Sequence, residues 1–124
     1  MRRILALLVL APAAALAAPP PINGQYRFSC PENEGMIVEM ATADGKKAVG
    51  RIVAVGAAAK YGYKVGEEMF HLNYDPHGDW LGEVHFRSVS GAQHWDSIRM
   101  VVQANALVAT MTNDGCYKNM ARVK

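Results

Sequence analysis

From Gln25 onward the chain is cut into short runs, and this punctuation limits what it can fold into more than any other feature. The runs are Gln25 to Cys30, Met36 to Ala41, Ala48 to Val55, Glu68 to Tyr74, Trp80 to Val89, Trp95 to Gln103, Ala106 to Thr112 and Cys116 to Val123, each rich in β-branched or aromatic residues and closed by Gly, Asp, Asn or Pro. Such a series with hairpin-length links reads as an antiparallel meander. Ala43-Asp44-Gly45, Asp75-Pro76-His77-Gly78-Asp79 and Asn113-Asp114-Gly115 supply the residues that tight turns need where φ is positive. No stretch sustains a helical period; only Ala57-Ala58-Ala59-Lys60 suits a single short turn. An even number of strands lets the first and last pair antiparallel and close a barrel, which removes both exposed edges. The expected fold is therefore all-β: a single small antiparallel eight-stranded up-and-down barrel over 24–124.

The two cysteines agree with closure. Cys30 ends the first run and Cys116 begins the last, so strands paired across the seam bring them together. In an oxidising compartment an even pair reads most simply as a structural disulfide, with free thiols or metal ligation as the alternatives. Closing so long a loop stabilises a fold by about 4 to 5 kcal/mol in the chain-entropy account.

An oxidising compartment is what the first residues suggest. Arg2 and Arg3 precede the apolar run Ile4 to Leu10, and Ala15-Leu16-Ala17 has the small-x-small form that a signal peptidase cuts. Residues 1–17 are read as a secretory signal and 18–23 as a Pro-rich leader; an uncleaved anchor is the alternative, but the apolar run falls short of the roughly 20 residues that span a bilayer. The expected location is periplasmic or secreted, without a membrane anchor after cleavage. The chain has 13 Lys+Arg and 11 Asp+Glu, and removal of Arg2 and Arg3 leaves 11 against 11. A neutral chain with scattered charge lacks the electrostatic footprint of a nucleic-acid binder. The remaining length suits one compact domain, expected as a monomer.

One link is long. Between the third and fourth runs lies Gly56 to Glu67, small residues punctuated by Gly56, Gly62 and Gly66. Long connections without regular structure are often functional rims or lids. A rim loop would place Tyr61, Tyr63 and Lys64 at the barrel mouth as ligand contacts, with the alanines making a light, easily displaced arm. Alternatively, the tyrosines plug a core short of large side chains.

The landmarks Gly24-Gln25-Tyr26, Gly50-Arg51-Ile52-Val53, Gly78-Asp79-Trp80-Leu81-Gly82, Gly91 to Trp95 and Arg122-Val123 resemble those of an uncharacterised family of small secreted bacterial proteins, a domain of unknown function. The resemblance implies a calycin-like small β-barrel and no known activity.

Candidate chemistry concentrates in the hairpin Met69 to Phe86. A five-residue link sets Tyr74 opposite Trp80, and counting back pairs Phe70 with Val84, His71 with Glu83 and Met69 with His85. Alternation then turns Phe70, Leu72, Tyr74, Trp80, Val84 and Phe86 to the core, and Met69, His71, Glu83, His85 and Arg87 outward. That outer face reads first as a solvated exterior. A thioether and two imidazoles at Met69, His71 and His85 also form a ligand set suited to copper(I), and zinc held by the two histidines and Glu83 is a lesser variant. No His-rich or repeated Met tract supports either, and no cofactor is expected. The other methionines, Met36, Met40, Met100, Met111 and Met120, read as an adaptable core.

Catalysis is not expected. Ser88, Ser90 and Ser97 lie near His94 and Asp96 in sequence without a nucleophile elbow, adjacent Glu67 and Glu68 point to opposite faces of a strand, and no phosphate-binding glycine loop occurs. The expectation is an exported, non-catalytic binding module of the cell envelope that takes a protein partner or a small ligand at its rim. The alternatives are a periplasmic copper-binding protein or an inhibitor of an envelope hydrolase.

Overall fold

The computed structural model describes residues 21–109 and 119–123. They form a closed antiparallel barrel in which β1 (Gly24–Arg27), β2 (Ile37–Ala41), β3 (Lys47–Ala54), β4 (Glu68–Tyr74), β5 (Trp80–Arg87), β6 (Gln93–Val102), β7 (Ala106–Ala109) and β8 (Met120–Arg122) pair in chain order. Closure is made by Tyr26 opposite Arg122 and Arg27 opposite Ala121. No helix among the described residues is long and apolar enough to cross a membrane.

The register of the central hairpin is the one its link length dictates. Phe70 faces Val84, His71 faces Glu83 and Tyr74 faces Trp80. Phe70, Leu72, Trp80 and Val84 are buried accordingly, with Tyr74 and Phe86 half-buried nearer the ends. Gly50 faces Phe70 from β3, and a Cβ there would crowd Met40 Sδ and the Phe70 ring. The methionines of the described core, Met36, Met40, Met69, Met100 and Met120, fill the interior together with Tyr26, Phe70, Ile22, Ile52, Leu72 and Leu107. Met111 lies outside the described residues.

Strict alternation fails at one place. The β3–β4 register slips between Gly50 and Arg51, so Gly50 pairs with Phe70, Arg51 with Glu68, and Met69 is the extra residue of a bulge. Its side chain is fully buried in the core instead of standing outside beside His71. The slip also brings Glu68 to the side of His71, where the two bond at 2.7 Å.

Side chains reinforce the seam. The Arg122 guanidinium donates to the carbonyls of Asn23 and Pro21, both at 2.9 Å, and lies 4.9 Å above the Tyr26 ring. Tyr26 in turn donates its hydroxyl to the Ile22 carbonyl at 2.8 Å, and burial pushes that phenol up against the opposing pull of Arg122. Pro21 to Asn23, read from the sequence as leader, are thus bound to the barrel, with Ile22 in its core. Cys30 lies three residues past β1, capping the short 3-10 turn Pro31–Asn33 and packing against the core. Its expected partner, Cys116, lies outside the described residues.

Candidate functional site

In a meander the connections alternate between the two ends, so the links 28–36, 55–67 and 88–92 share one rim. The long link is not a light arm. A six-residue 3-10 segment, Gly56–Tyr61, buries Ala58 and leads through Gly62, at φ +90°, to Tyr63. Gly56 sits at φ +53° against the first rim turn, where a Cβ would run into the Glu34 carbonyl, and Ala57 N donates to that same oxygen at 2.7 Å. The returning chain is held to β3 by Gly66 N to Ile52 O at 2.7 Å and Ile52 N to Glu67 O at 3.0 Å. At Gly56 the absence of a side chain permits this close approach of backbones.

Tyr63 ends this path with its ring buried. The β4–β5 ladder stops at Phe70 and Val84, so the next groups on β5 have β6 on one side and no β4 partner on the other. The Tyr63 hydroxyl takes the place of that strand: it accepts from Arg87 N at 2.9 Å and donates to His85 O at 3.3 Å. Tyr61, by contrast, is half-exposed under the Lys60 ammonium, and Lys64 is exposed. Of the three residues expected at the mouth, Tyr63 is a plug, Tyr61 packs half-buried against the core, and Lys64 is on the surface.

Around the plug is a polar brace. Glu67 Oε2 receives Nε–H of Arg87 and Nδ1–H of His85, each at 3.1 Å, while Nε2 of His85 lies 3.1 Å from Gln93 Oε1. His85 was expected on a solvated face and is instead buried, because Trp95 from β6 and Tyr63 from the long link cover it. The Trp95 indole stacks on both imidazoles, 4.5 Å from His71 and 4.9 Å from His85 between ring centres. Cross-strand pairing of His85 with Trp95 brings about the second contact. Sequence alternation placed these histidines on one face but gave no sign of the indole that occupies the space beside them.

Metal chemistry finds no convergent set here. Met69 points to the core, His71 is bound to Glu68 and His85 to Glu67 and Gln93. Among the described residues no group of three or more His, Cys, Asp or Glu side chains is arranged to hold a metal ion. Of the serines near His94, Ser88 and Ser90 bond each other at 2.8 Å, while His94 bonds Asp96 at 3.2 Å.

The site's outer limit is the β5–β6 hairpin. Gln93 to Ser97 are exposed on both faces of β6, and burial begins only at Ile98. The hairpin tip, Ser88 to Ala92, is closed by Ser88 N to Ala92 O and Gly91 N to Ser88 O, both at 3.0 Å.

No known protein family, curated protein or solved structure matches the chain.

Proposed function

We infer that the protein is an exported, non-catalytic binding module whose ligand is another protein, taken at the rim formed by the 55–67 link and the β5–β6 hairpin. The observation that supports this is the packing of the described interior, where Tyr63 and five methionines are buried. A small apolar cargo requires a continuous cavity under the Tyr61/Tyr63 link, and the burial of Tyr63 and of the methionine-rich core there favours a protein ligand instead. Eight short strands enclose little beyond their own side chains. The rim, in contrast, is built from turns fixed by backbone hydrogen bonds and presents exposed side chains, as a surface that engages a partner with little ordering cost does. Inhibition of an envelope hydrolase is one form of this reading.

Export rests on the Arg2-Arg3, Ile4 to Leu10 and Ala15-Leu16-Ala17 series. Native mass spectrometry of the protein isolated from the envelope fraction of its own cells tests the whole reading. The expected result is a chain starting at Ala18, associated with a second polypeptide. A stoichiometric small apolar molecule retained by the monomer would overturn it.

A further inference from the structure

Two turns at the rim each carry one exposed valine. Val65 is 66% exposed and Val89 81%, the highest values among the large apolar residues described. Single exposed apolar side chains are ordinary on protein surfaces. What distinguishes these two is how their turns are held. Lys64 to Glu67 is closed by Glu67 N to Lys64 O at 3.1 Å and by Lys64 N to the Glu67 carboxylate at 3.2 Å. Ser88 to Ala92 is closed by its own two backbone bonds, with the Ser88 and Ser90 hydroxyls 2.8 Å apart. The polar brace then joins one turn to the other. Tyr63, two residues before Val65, bonds the backbone of Arg87, two residues before Val89. Glu67, two residues after Val65, bonds the side chains of both His85 and Arg87.

The 55–67 link that carries Val65 also presents two cations. Lys60 and Lys64 are both exposed, and neither forms an ion pair among the described residues. The nearest carboxylate in the chain, Glu67, is already engaged by His85 and Arg87.

We propose that Val65 and Val89 are paired anchors for a protein partner whose surface offers small aliphatic pockets flanked by carboxylates, with Lys60 and Lys64 supplying the complementary charge. The inference rests on the protein-binding reading above and specifies its face and the chemistry of its partner. The brace between Tyr63, Glu67, His85 and Arg87 sets the separation of the anchors before binding, which lowers the ordering cost of association. A lipid surface is the poorer fit. Two valines bury less apolar area than a single acyl chain, which alone gives only marginal membrane binding, and each lysine adds about 1 kcal/mol at an anionic surface.

The test uses the full chain in its own cells with a photo-crosslinking benzoylphenylalanine placed in turn at positions 65, 89, 95 and, on the opposite end, 43. Positions 65 and 89 should yield adducts to the same protein and position 43 none. That protein, purified, should bind the Val65→Asp/Val89→Asp chain about a hundredfold more weakly than wild type, about tenfold for each buried valine lost, with the melting temperature unchanged. Lys60→Glu/Lys64→Glu should slow association and reduce its salt dependence. Adducts at 95 or 43 but not at 65 and 89 overturn the inference and leave the protein-binding reading standing; no protein adduct at any position overturns both. Anionic phospholipid vesicles that bind wild type and release the valine double variant would move the site to a membrane and overturn it as well.

Discussion

Tyr63 and Tyr61 are two residues apart and do unrelated work. Removing only the hydroxyl of Tyr63 leaves an N–H and a carbonyl of β5 without partners inside the structure, and stranding buried polar groups costs about 1 to 3 kcal/mol. Tyr63→Phe should therefore lower stability by about that amount in urea titrations, while Tyr61→Phe changes it by less than about 0.5 kcal/mol; equal losses would show that the plug is misassigned. Trp80 is a second residue with a definite prediction. It is buried and faces Tyr74 across the hairpin with ring centres 5.3 Å apart, so Trp80→Ala should cost about 3 to 5 kcal/mol, as truncating a large core aromatic does. A loss under about 1 kcal/mol would refute the inward face. At Glu68 the prediction is electrostatic. His71, bonded at 2.7 Å, and then Arg51 hold this carboxyl below the usual carboxylate range. Because its folded value is depressed, Glu68 favours the folded state above the unfolded carboxylate value, and that contribution is lost as pH falls through the folded one. The group is exposed, so the energy is small and the cleaner readout is its NMR titration: the midpoint should lie low in wild type and move back up in His71→Asn.

At the scale of elements, the long link shows why small residues recur in it. Gly56 combines a positive φ with a backbone contact that leaves no room for a Cβ, and the adjacent amide of Ala57 bonds the carbonyl that causes the crowding. Gly56→Ala should shift the link off the 28–36 turn, lower the melting temperature and raise hydrogen exchange at Ala57 and Ala58 selectively. Gly45→Ala is the comparison, since its φ of +75° is also left-handed but its surroundings are open. If both substitutions cost the same, backbone strain alone explains them and the inter-turn contact contributes nothing. The β4 bulge is the other element that matters. One extra residue turns Met69 inward, separates it from His71 and His85, and aligns Glu68 with His71.

For the whole molecule, closure among the described residues is made by Tyr26 and Arg27 of β1 against Arg122 and Ala121 of β8, and by Ala106 and Leu107 of β7 against Ala121 and Met120. Arg122 adds side-chain bonds to this seam through the carbonyls of Asn23 and Pro21, and a covalent tie across the same ends would add to them. We predict that Cys30 and Cys116 are disulfide-bonded in protein taken from the envelope, as non-reducing peptide mapping would establish. Reduction should then cost about 4 to 5 kcal/mol, the entropy of closing a loop of this length, and should raise hydrogen exchange first in β1 and β8. Two free thiols in such a sample would refute the covalent tie.

The strand order, the hairpin register and the inward face of β4 and β5 could be read from the residues themselves. Each follows from a local rule: turn residues with positive φ, a period of two, and a link length that sets which residue faces which. What the local rules missed are events that depend on distant neighbours. Met69 turns inward because β3 and β4 differ by one residue across a bulge; His85 is buried because Trp95 and Tyr63, far apart in the chain, meet over it. Tyr63 itself shows no periodicity that marks it as a plug. Its role exists only because the β4–β5 ladder ends at Phe70 and Val84 and leaves two backbone groups for a side chain to satisfy. Sequence alone determined the barrel, since alternation and turn chemistry are properties of consecutive residues; the tertiary structure decided the rim, since its contacts join residues that only packing brings together.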